Sequence, residues 1–309
     1  MNSCFRVRLI QFRAGYNLPI HVAIEMGQFA KHGLDVQPTY TAGSREFMEE
    51  LEAGRFDIGH TAADDLVARV EAQKESSFES SNLFLFMGIY GGLITLVGSA
   101  GNRDFNALRG KSLAVDARSN GFVLLLEKKL RSVGFRSDDY NLVEVGGWEQ
   151  RYRALLEGGF AATLLTPPFV GDAVEAGCHV LARLDEVEPV YQATCGLSRR
   201  SWARENGNVL VSYIRAYLDA TRWCYDPKNR PLCLELLMKH AKIKASSAEK
   251  TLDALLDPDH GLYPDVRLNL PGIAVVIRLR AEMGYLSSPL PTPEDYVDLS
   301  YYRKALASD

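Results

Sequence analysis

Residues 55–71 contain a strand, a polar turn and a helix, and this order recurs along the chain. Residues 56–59 are a short apolar strand that ends at His60 and Thr61. From Asp64 onward, apolar residues recur at helical spacing. Open α/β sheets bind ligands at the carboxyl ends of their strands. The polar turns of successive units are therefore expected to meet in one cleft.

The first lobe contains three such units. A strand at residues 5–12 precedes a helix at 19–30, and a strand at 34–41 precedes a helix from residue 44 to 51. Three successive βα units predict a parallel sheet with right-handed crossovers. Residues 72–82 are polar and predict a loop. Residues 83–89 are almost continuously apolar, which is typical of a strand buried on both faces.

The chain changes lobe near Gly91 and Gly92 and then repeats the plan. We predict an α/β fold of two Rossmann-like lobes, with the polar turns of both lobes at one ligand cleft. Lobe one comprises residues 1–92 and 197–309, and lobe two comprises 93–196. A helical C-terminal tail lies on lobe one, with helices at about 201–225, 228–241, 246–256 and 271–283.

Composition excludes several classes of protein. The net charge of −4 and the absence of a basic stripe argue against nucleic-acid binding. No stretch approaches ~20 consecutive apolar residues, so no membrane span is expected. The five cysteines show neither metal-ligand nor disulfide-framework spacing, and we expect no metal and no cofactor.

The first eleven residues alternate like a strand and carry arginines where a signal peptide is apolar. This predicts a cytoplasmic protein if Met1 is the native start, and a periplasmic protein if a leader was removed.

Several short motifs occur in a specific order along the chain. They are 17–23 (NLPIHVA), 33–36 (GLDV), 41–44 (TAGS), 57–64 (DIGHTAAD), 108–116 (LRGKSLAVD), 146–148 (GGW), 166–168 (TPP) and 293–299 (PEDYVDL). Together they resemble the NMT1/THI5-like group of type II periplasmic binding proteins, which is similar to sulfonate- and taurine-type substrate-binding proteins of ABC transporters. The resemblance implies hinge closure on a small molecule and, for an exported protein, an ABC permease as partner.

Some proteins on this scaffold are enzymes. The resemblance extends to yeast-type pyrimidine synthases of thiamine biosynthesis, but their cysteine-rich motif is absent here. It also extends to an aromatic sulfinate desulfinase, whose catalytic cysteine would fall in the turn at residues 13–17, which has none.

The start of the helix after residue 120 is the best candidate for an anion site. Backbone N–H groups there, with Arg118, Ser119 and Asn120, suit a carboxylate, sulfonate or phosphate. The alternative is a plain helix cap with a solvated Arg118. Thr41 and Ser44 have the same chemistry in lobe one, so a charged ligand would bridge the cleft.

His60, Thr61 and Asp64 lie on the central turn. His60 is a ligand donor, a pH-sensitive gate or, in an enzyme, the general base, and the alternative is a structural histidine. Asp64 caps its helix or binds a ligand amine or hydroxyl. Asp65 points about 100° away on the helix, and we expect it to be solvated or paired with Arg69.

Aromatic residues at turns are candidates for cleft walls, with packing at lobe edges as the alternative; they are Tyr16, Tyr90 and Trp148. Arg13 adds positive charge, while Asn17 and Thr166 add hydrogen bonds. Arg151, on the first turn of its helix, faces the cleft or pairs with Glu149 or Glu157, and we favour the structural role.

The leading hypothesis is a solute-binding protein that closes around a small anionic ligand, a carboxylate or sulfonate with an aromatic or pyrimidine-like body as an option. It would serve as the substrate-binding component of an ABC transporter. The alternative is a cofactor-independent lyase or decarboxylase in the cytoplasm, with His60 as its acid/base.

Overall fold

A computed structural model describes residues 4–76 and 81–307 and contains two mixed sheets. The first sheet has the order β2-β1-β3-β10-β4. Its strands are β1 (Phe5–Gln11), β2 (Leu34–Tyr40), β3 (Ile58–Ala62), β4 (Leu83–Tyr90) and β10 (Thr194–Arg199). β1 pairs in parallel with β2 and β3, as the three successive units predict. β10 is antiparallel to both of its neighbours.

The second sheet has the order β7-β6-β8-β5-β9. Its strands are β5 (Thr95–Gly98), β6 (Lys111–Val115), β7 (Tyr140–Glu144), β8 (Ala162–Leu165) and β9 (His179–Arg183). The prediction of two α/β lobes is confirmed. The chain changes sheet between Tyr90 and Thr95 and again between Arg183 and Thr194. The exact residues at which the lobes begin and end stay predictions. β10, a strand of the lobe-one sheet, begins at Thr194.

Four helices follow the strands of lobe one: α1 (Leu18–Glu25), α2 (Gln28–Lys31), α3 (Ser44–Glu52) and α4 (Ala63–Ser76). The helix predicted over residues 19–30 is divided, because Gly27 adopts a left-handed conformation with φ of 69° between α1 and α2. α4 continues to Ser76 into the segment predicted as a loop, of which residues 77–80 lie outside the described residues.

The helices of lobe two are α5 (Gly121–Ser132), α6 (Trp148–Leu156) and α7 (Phe169–Glu175). The C-terminal tail contains α8 (Arg200–Glu205), α9 (Gly207–Tyr225), α10 (Arg230–Ala241), α11 (Ala245–Leu255), α12 (Leu270–Glu282) and α13 (Ser300–Leu306). The helix predicted over 201–225 is two helices, since Asn206 leaves the helical region at ψ of 33°. α13 was not expected from the sequence.

β4 is fully buried although it lies at the edge of its sheet. The apolar run predicts a strand buried on both faces if it is parallel, and β4 is buried although it is antiparallel to β10. Tail segments cover its open edge, with bridges from Leu85 to Val297 and from Tyr90 to Leu262. An uncovered edge would offer unpaired backbone groups to other chains. The tail therefore completes lobe one.

Within the described residues, no helix combines the length and the apolar character that crossing a bilayer requires.

Candidate functional site

The two lobes contact each other where their parallel strands end. The Gly147 N–H, after β7, donates to the Ala42 carbonyl after β2 at 2.7 Å. The Gly15 N–H, after β1, donates to the Pro167 carbonyl after β8 at 3.0 Å. These bonds join residues that are distant in sequence, and they describe a closed arrangement of the lobes.

A small cavity lies between the lobes at this contact. Its volume of about 20 Å³ suits a group of the size of one or two water molecules. Thirteen residues from both lobes line it: Phe12, Tyr16, Ser44, Thr61, Ala62, Asp65, Asp116, Asn120, Phe122, Gly147, Trp148, Arg151 and Thr194. A larger organic molecule would enter only with the lobes further apart.

Arg151 is the cation of this cavity. It lies on the first turn of α6, where Gly147 precedes the helix, and only 3% of the residue is exposed. Its Nε donates to the Gly147 carbonyl at 3.3 Å, and its guanidinium lies 4.4 Å from the centre of the Trp148 ring. Burial lowers the pKa of Arg151 to about 10, while the charge of Asp116 opposes this shift. The side chain is therefore still charged at neutral pH.

Asp65 is the buried acid of the cavity, with 8% of the residue exposed. It accepts hydrogen bonds from the Thr61 hydroxyl and from Asn120 Nδ2, the latter at 3.1 Å. Burial raises the pKa of Asp65 to about 7, and the hydrogen bond from Thr61 opposes the shift. The charges of Asp64 and Asp116 raise it further. Asp65 therefore changes its charge near neutral pH.

Aromatic rings form the apolar walls. Trp148 Nε1 donates to the Tyr16 hydroxyl at 3.4 Å across the lobe contact. The Phe122 ring centre lies 5.6 Å from that of Trp148. Burial raises the pKa of the Tyr16 phenol, which stays neutral. Such rings offer broad contact area to a flat ligand.

The structure brings five of the predicted site residues into the cavity: Tyr16, Ser44, Thr61, Asn120 and Trp148. Arg13 and Thr41 line a neighbouring polar groove instead. There Arg13 lies 3.4 Å from the carboxylate of Glu149 and stacks on the Tyr40 ring. Asp64 and Ser119 border an open groove on another side.

Arg118 does not reach the cavity. Its side chain is exposed, and its guanidinium donates to the Leu142 carbonyl at 2.8 Å. Its backbone N–H donates to Glu144 at 3.0 Å. The positive charge expected from Arg118 is supplied in the cavity by Arg151.

His60 is placed in the interior of lobe one, outside the cavity. Only 1% of the residue is exposed, and its Nε2 lies 2.9 Å from the Tyr213 hydroxyl of α9. Burial lowers the pKa of His60 to about 3, so the ring is neutral. These contacts correspond to the structural alternative, and we do not include His60 in the proposed site.

Three further candidates also lie outside the cavity. Asn17 Nδ2 donates to the Phe12 carbonyl at 2.7 Å and stabilises the turn after β1. Tyr90 and Thr166 are fully buried, with their hydroxyl oxygens 3.5 Å apart. Their role here is packing between the lobes.

The favoured sequence predictions gave no site role to Arg151 or Asp65, the two buried ionisable residues described above. For Arg151 we favour a pair with Glu149 or Glu157 over the alternative of facing the cleft, but Glu149 pairs with Arg13 and Arg153 and Arg151 lines the cavity. Asp65 was assigned to solvent or Arg69, whereas Arg69 pairs with Glu52. The sequence signal that could have placed Asp65 and Arg151 in the cavity is their position. Both lie on the first turn of a helix whose start faces the cleft.

No group of three or more metal-ligating side chains occurs within residues 4–76 and 81–307.

Comparison with known proteins identifies a matching family and similar folds. The model of the NMT1-like family matches residues 6–238. The ligand-binding component of an ABC-type import system from Staphylococcus aureus is 15% identical with a TM-score of 0.79, over 98% of this chain and 99% of that one. The periplasmic nitrate-binding protein of Synechocystis PCC 6803 is 13% identical with a TM-score of 0.83, over 98% and 88%. At these identities the likeness concerns the fold alone.

The periplasmic aliphatic sulphonate-binding protein of Escherichia coli is similar too, at 17% identity and a TM-score of 0.70, over 97% of this chain and 100% of that one. A curated relative, the 4-amino-5-hydroxymethyl-2-methylpyrimidine phosphate synthase of Uromyces fabae, is 23% identical over 215 residues. That match covers 65% of this chain and 61% of the length of the synthase.

Proposed function

Since the chain belongs to the NMT1-like family, we propose that it is a solute-binding protein whose lobes close around a small organic acid. The acid group binds Arg151 in the cavity between the lobes, and the rest of the ligand lies among the aromatic walls. The proposal keeps the anionic ligand expected from the sequence and moves its cationic partner from Arg118 to Arg151.

The observation that carries this proposal is the environment of Arg151. Its charge is buried, and no carboxylate of the described residues lies at ion-pair distance from its guanidinium. A buried charge that has no ion-pair partner is costly. A ligand carboxylate, sulfonate or phosphate would supply the counter-charge and accept bidentate hydrogen bonds from the guanidinium.

The remaining lining narrows the class of ligand. Asp65 and Asp116 accept hydrogen bonds from amino, ring N–H or hydroxyl groups, and Ser44 and Thr61 lie beside them. The rings of Tyr16, Phe122 and Trp148 suit a flat apolar body. These features support an acid with an aromatic or pyrimidine-like body that carries hydrogen-bond donors.

We also propose an ABC permease as the partner, in the periplasm. The support is the structural likeness to the ligand-binding component from Staphylococcus aureus. Delivery to a permease requires export, so a cytoplasmic location of the natural protein would contradict this part of the proposal.

A second candidate function is an enzyme on the same scaffold. Two observations favour it: the distant relative that is named a synthase, and the Asp65 carboxyl, whose pKa of about 7 suits a general acid or base. His60 has no such place, because it lies away from the cavity.

The test is a thermal-shift screen of the purified protein against carboxylates, sulfonates, pyrimidines and aromatic acids, followed by mass spectrometry of each mixture. A ligand that binds the folded state raises Tm by mass action. We expect an acid to raise Tm and to remain unchanged. Consumption of the compound would establish the enzyme instead, and the absence of any stabilising acid would overturn the binding proposal.

A further inference from the structure

The starts of two helices in the cleft are each occupied by a carboxylate from the opposite lobe. The Gly121 N–H at the start of α5 donates to Asp64 Oδ2 of α4 at 2.7 Å. In the reverse direction, the Ser44 hydroxyl at the start of α3 donates to Asp116, which follows β6. These are the two helix starts that the sequence predicts as anion sites. In this structure, the protein's own acids occupy both.

The Asp64 contact is buried and has a cation of its own. Only 1% of Asp64 and 5% of Arg280 are exposed. Arg280, in α12, places one guanidinium nitrogen 2.9 and 3.0 Å from the two Asp64 oxygens. The same nitrogen donates to the Ser119 carbonyl at 3.1 Å, directly before α5. Arg280 therefore connects Asp64 to the helix start that Asp64 contacts.

Further donors surround this carboxylate. The Tyr191 hydroxyl faces Gly121 beside Asp64, and a Cβ at Gly121 would collide with both groups. Tyr191 is buried, and its hydroxyl has no hydrogen-bond partner among the described residues. Arg280 Nε is likewise buried and without a partner in that part of the chain. The site therefore holds more donor groups than Asp64 uses, which suits an anion with three or four oxygens.

We propose that Asp64 and Asp116 are internal substitutes for a ligand anion, each carried by one lobe and bound at the helix start of the other. They hold the lobes closed without an external anion at α5 and α3. They also exclude an external anion from both helix starts, so that Arg151 is the place left for an acid group. Only the assignment of the acid group to Arg151 rests on the proposed function.

The test compares the wild type with Asp64→Ala, Asp116→Ala and the double variant, with sodium sulfate as the probe. Small-angle X-ray scattering without sulfate measures the radius of gyration. Thermal unfolding in sulfate and in sodium chloride of equal ionic strength measures anion binding. We expect a compact wild type, and an expanded Asp64→Ala whose Tm rises in sulfate by about 2 °C or more beyond the general stabilisation that sulfate gives the wild type.

Asp35→Ala is the matched control, because Asp35 is an exposed carboxylate that pairs with Arg6 on the outer face of lobe one. It should behave as the wild type. Gly121→Ala retains the Asp64 and Arg280 side chains but places a methyl group against Asp64 in the lobe contact, so it tests closure if Asp64→Ala does not fold. We expect it to be expanded.

Equal radii of gyration in the wild type, Gly121→Ala and every folded Asp64 variant would overturn the proposal. A sulfate response of the wild type as large as that of Asp64→Ala would do so as well. Neither readout needs a ligand at Arg151, so a failure here is distinguishable from a failure of the proposed function.

Discussion

Arg151 decides the chemistry of the cavity at the scale of single residues. We expect Arg151→Met to lower affinity for a stabilising acid by roughly 10- to 100-fold, since hydrogen bonds to a charged group contribute ~1.5–3 kcal/mol. The free energy of unfolding should not fall, because the substitution removes a buried charge that has no ion pair in the described structure. Isothermal titration calorimetry and urea denaturation measure the two effects.

Arg153→Met is the control for this prediction. Arg153 lies two residues away on α6, is largely exposed and pairs with Glu149. It should bind the acid as the wild type does. Equal losses of affinity in both variants would remove Arg151 from the site.

Asp65 makes stability depend on pH in a defined direction. Its pKa is about 7 in the folded protein and about 3.8 in the unfolded chain. The unfolded chain therefore loses this proton more readily, and the contribution of Asp65 to stability is lost as pH rises through about 7. Asp65→Asn should exceed the wild type in unfolding free energy at pH 8, by on the order of a few kcal/mol, and match it at pH 4.

Denaturant titrations at both pH values test the Asp65 prediction. Burial lowers the pKa of His21 and of His60 to about 3, which acts in the opposite direction. Both histidines are present in the wild type and in Asp65→Asn. Their contributions therefore cancel in the difference between the two unfolding free energies. A stability gain of the variant that is the same at pH 4 and pH 8 would contradict the raised pKa.

Some site residues were predictable from local sequence, and others were not. Ser44 and Asn120 begin helices after strands, which a single segment of sequence reveals. Arg151 and Asp65 line a cavity to which both lobes contribute, which no single segment of sequence reveals. His60 is the opposite case. Its position on the strand resembles that of a ligand donor, but α9 covers it in the folded protein.

At the scale of elements, the packing of β3 on α9 involves His60. We expect His60→Ala to lower the free energy of unfolding by roughly 2–4 kcal/mol, because it leaves a cavity and removes the partner of the buried Tyr213 hydroxyl. Affinity of the folded protein for an acid should change little. Denaturation and calorimetry measure both, with the more exposed His179→Ala as control. A large loss of affinity at unchanged stability would return His60 to the site.

The packing of α3 on β3 positions Ser44. Gly59 lies in β3, and a Cβ there would collide with the ring of Phe47 in α3. Gly59→Ala should therefore displace α3 and destabilise the protein by about 1–3 kcal/mol. Gly101→Ala is the matched control, since nothing lies within 4 Å of its added Cβ. The Tm values of the two variants are compared by thermal unfolding. Equal values would contradict the close packing of α3 on Gly59.

The elements were predicted well where periodicity or a repeated unit signals them. The β1–β2 and β1–β3 pairings follow from successive βα units. The division of α1 from α2 depends on one left-handed glycine inside an apolar pattern. The direction and cover of β4 depend on β10 and on the tail, which lie far away in sequence.

At the scale of the whole molecule, the two-lobe fold was predictable because ordered short motifs resemble a known family. The closed arrangement was not predictable, because contacts such as Gly147 with Ala42 join residues of different lobes. Closure brings Arg151, Asp65 and the aromatic walls together around about 20 Å³. We therefore expect an acid with a ring to bind with the lobes slightly further apart.

The most direct test is a crystal structure of the protein with the acid that gives the largest thermal shift. We expect the acid group within about 3 Å of the Arg151 guanidinium, between the lobes, with the body of the ligand against Tyr16 and Trp148. An acid bound elsewhere, or bound between the lobes with its acid group away from Arg151, would contradict it.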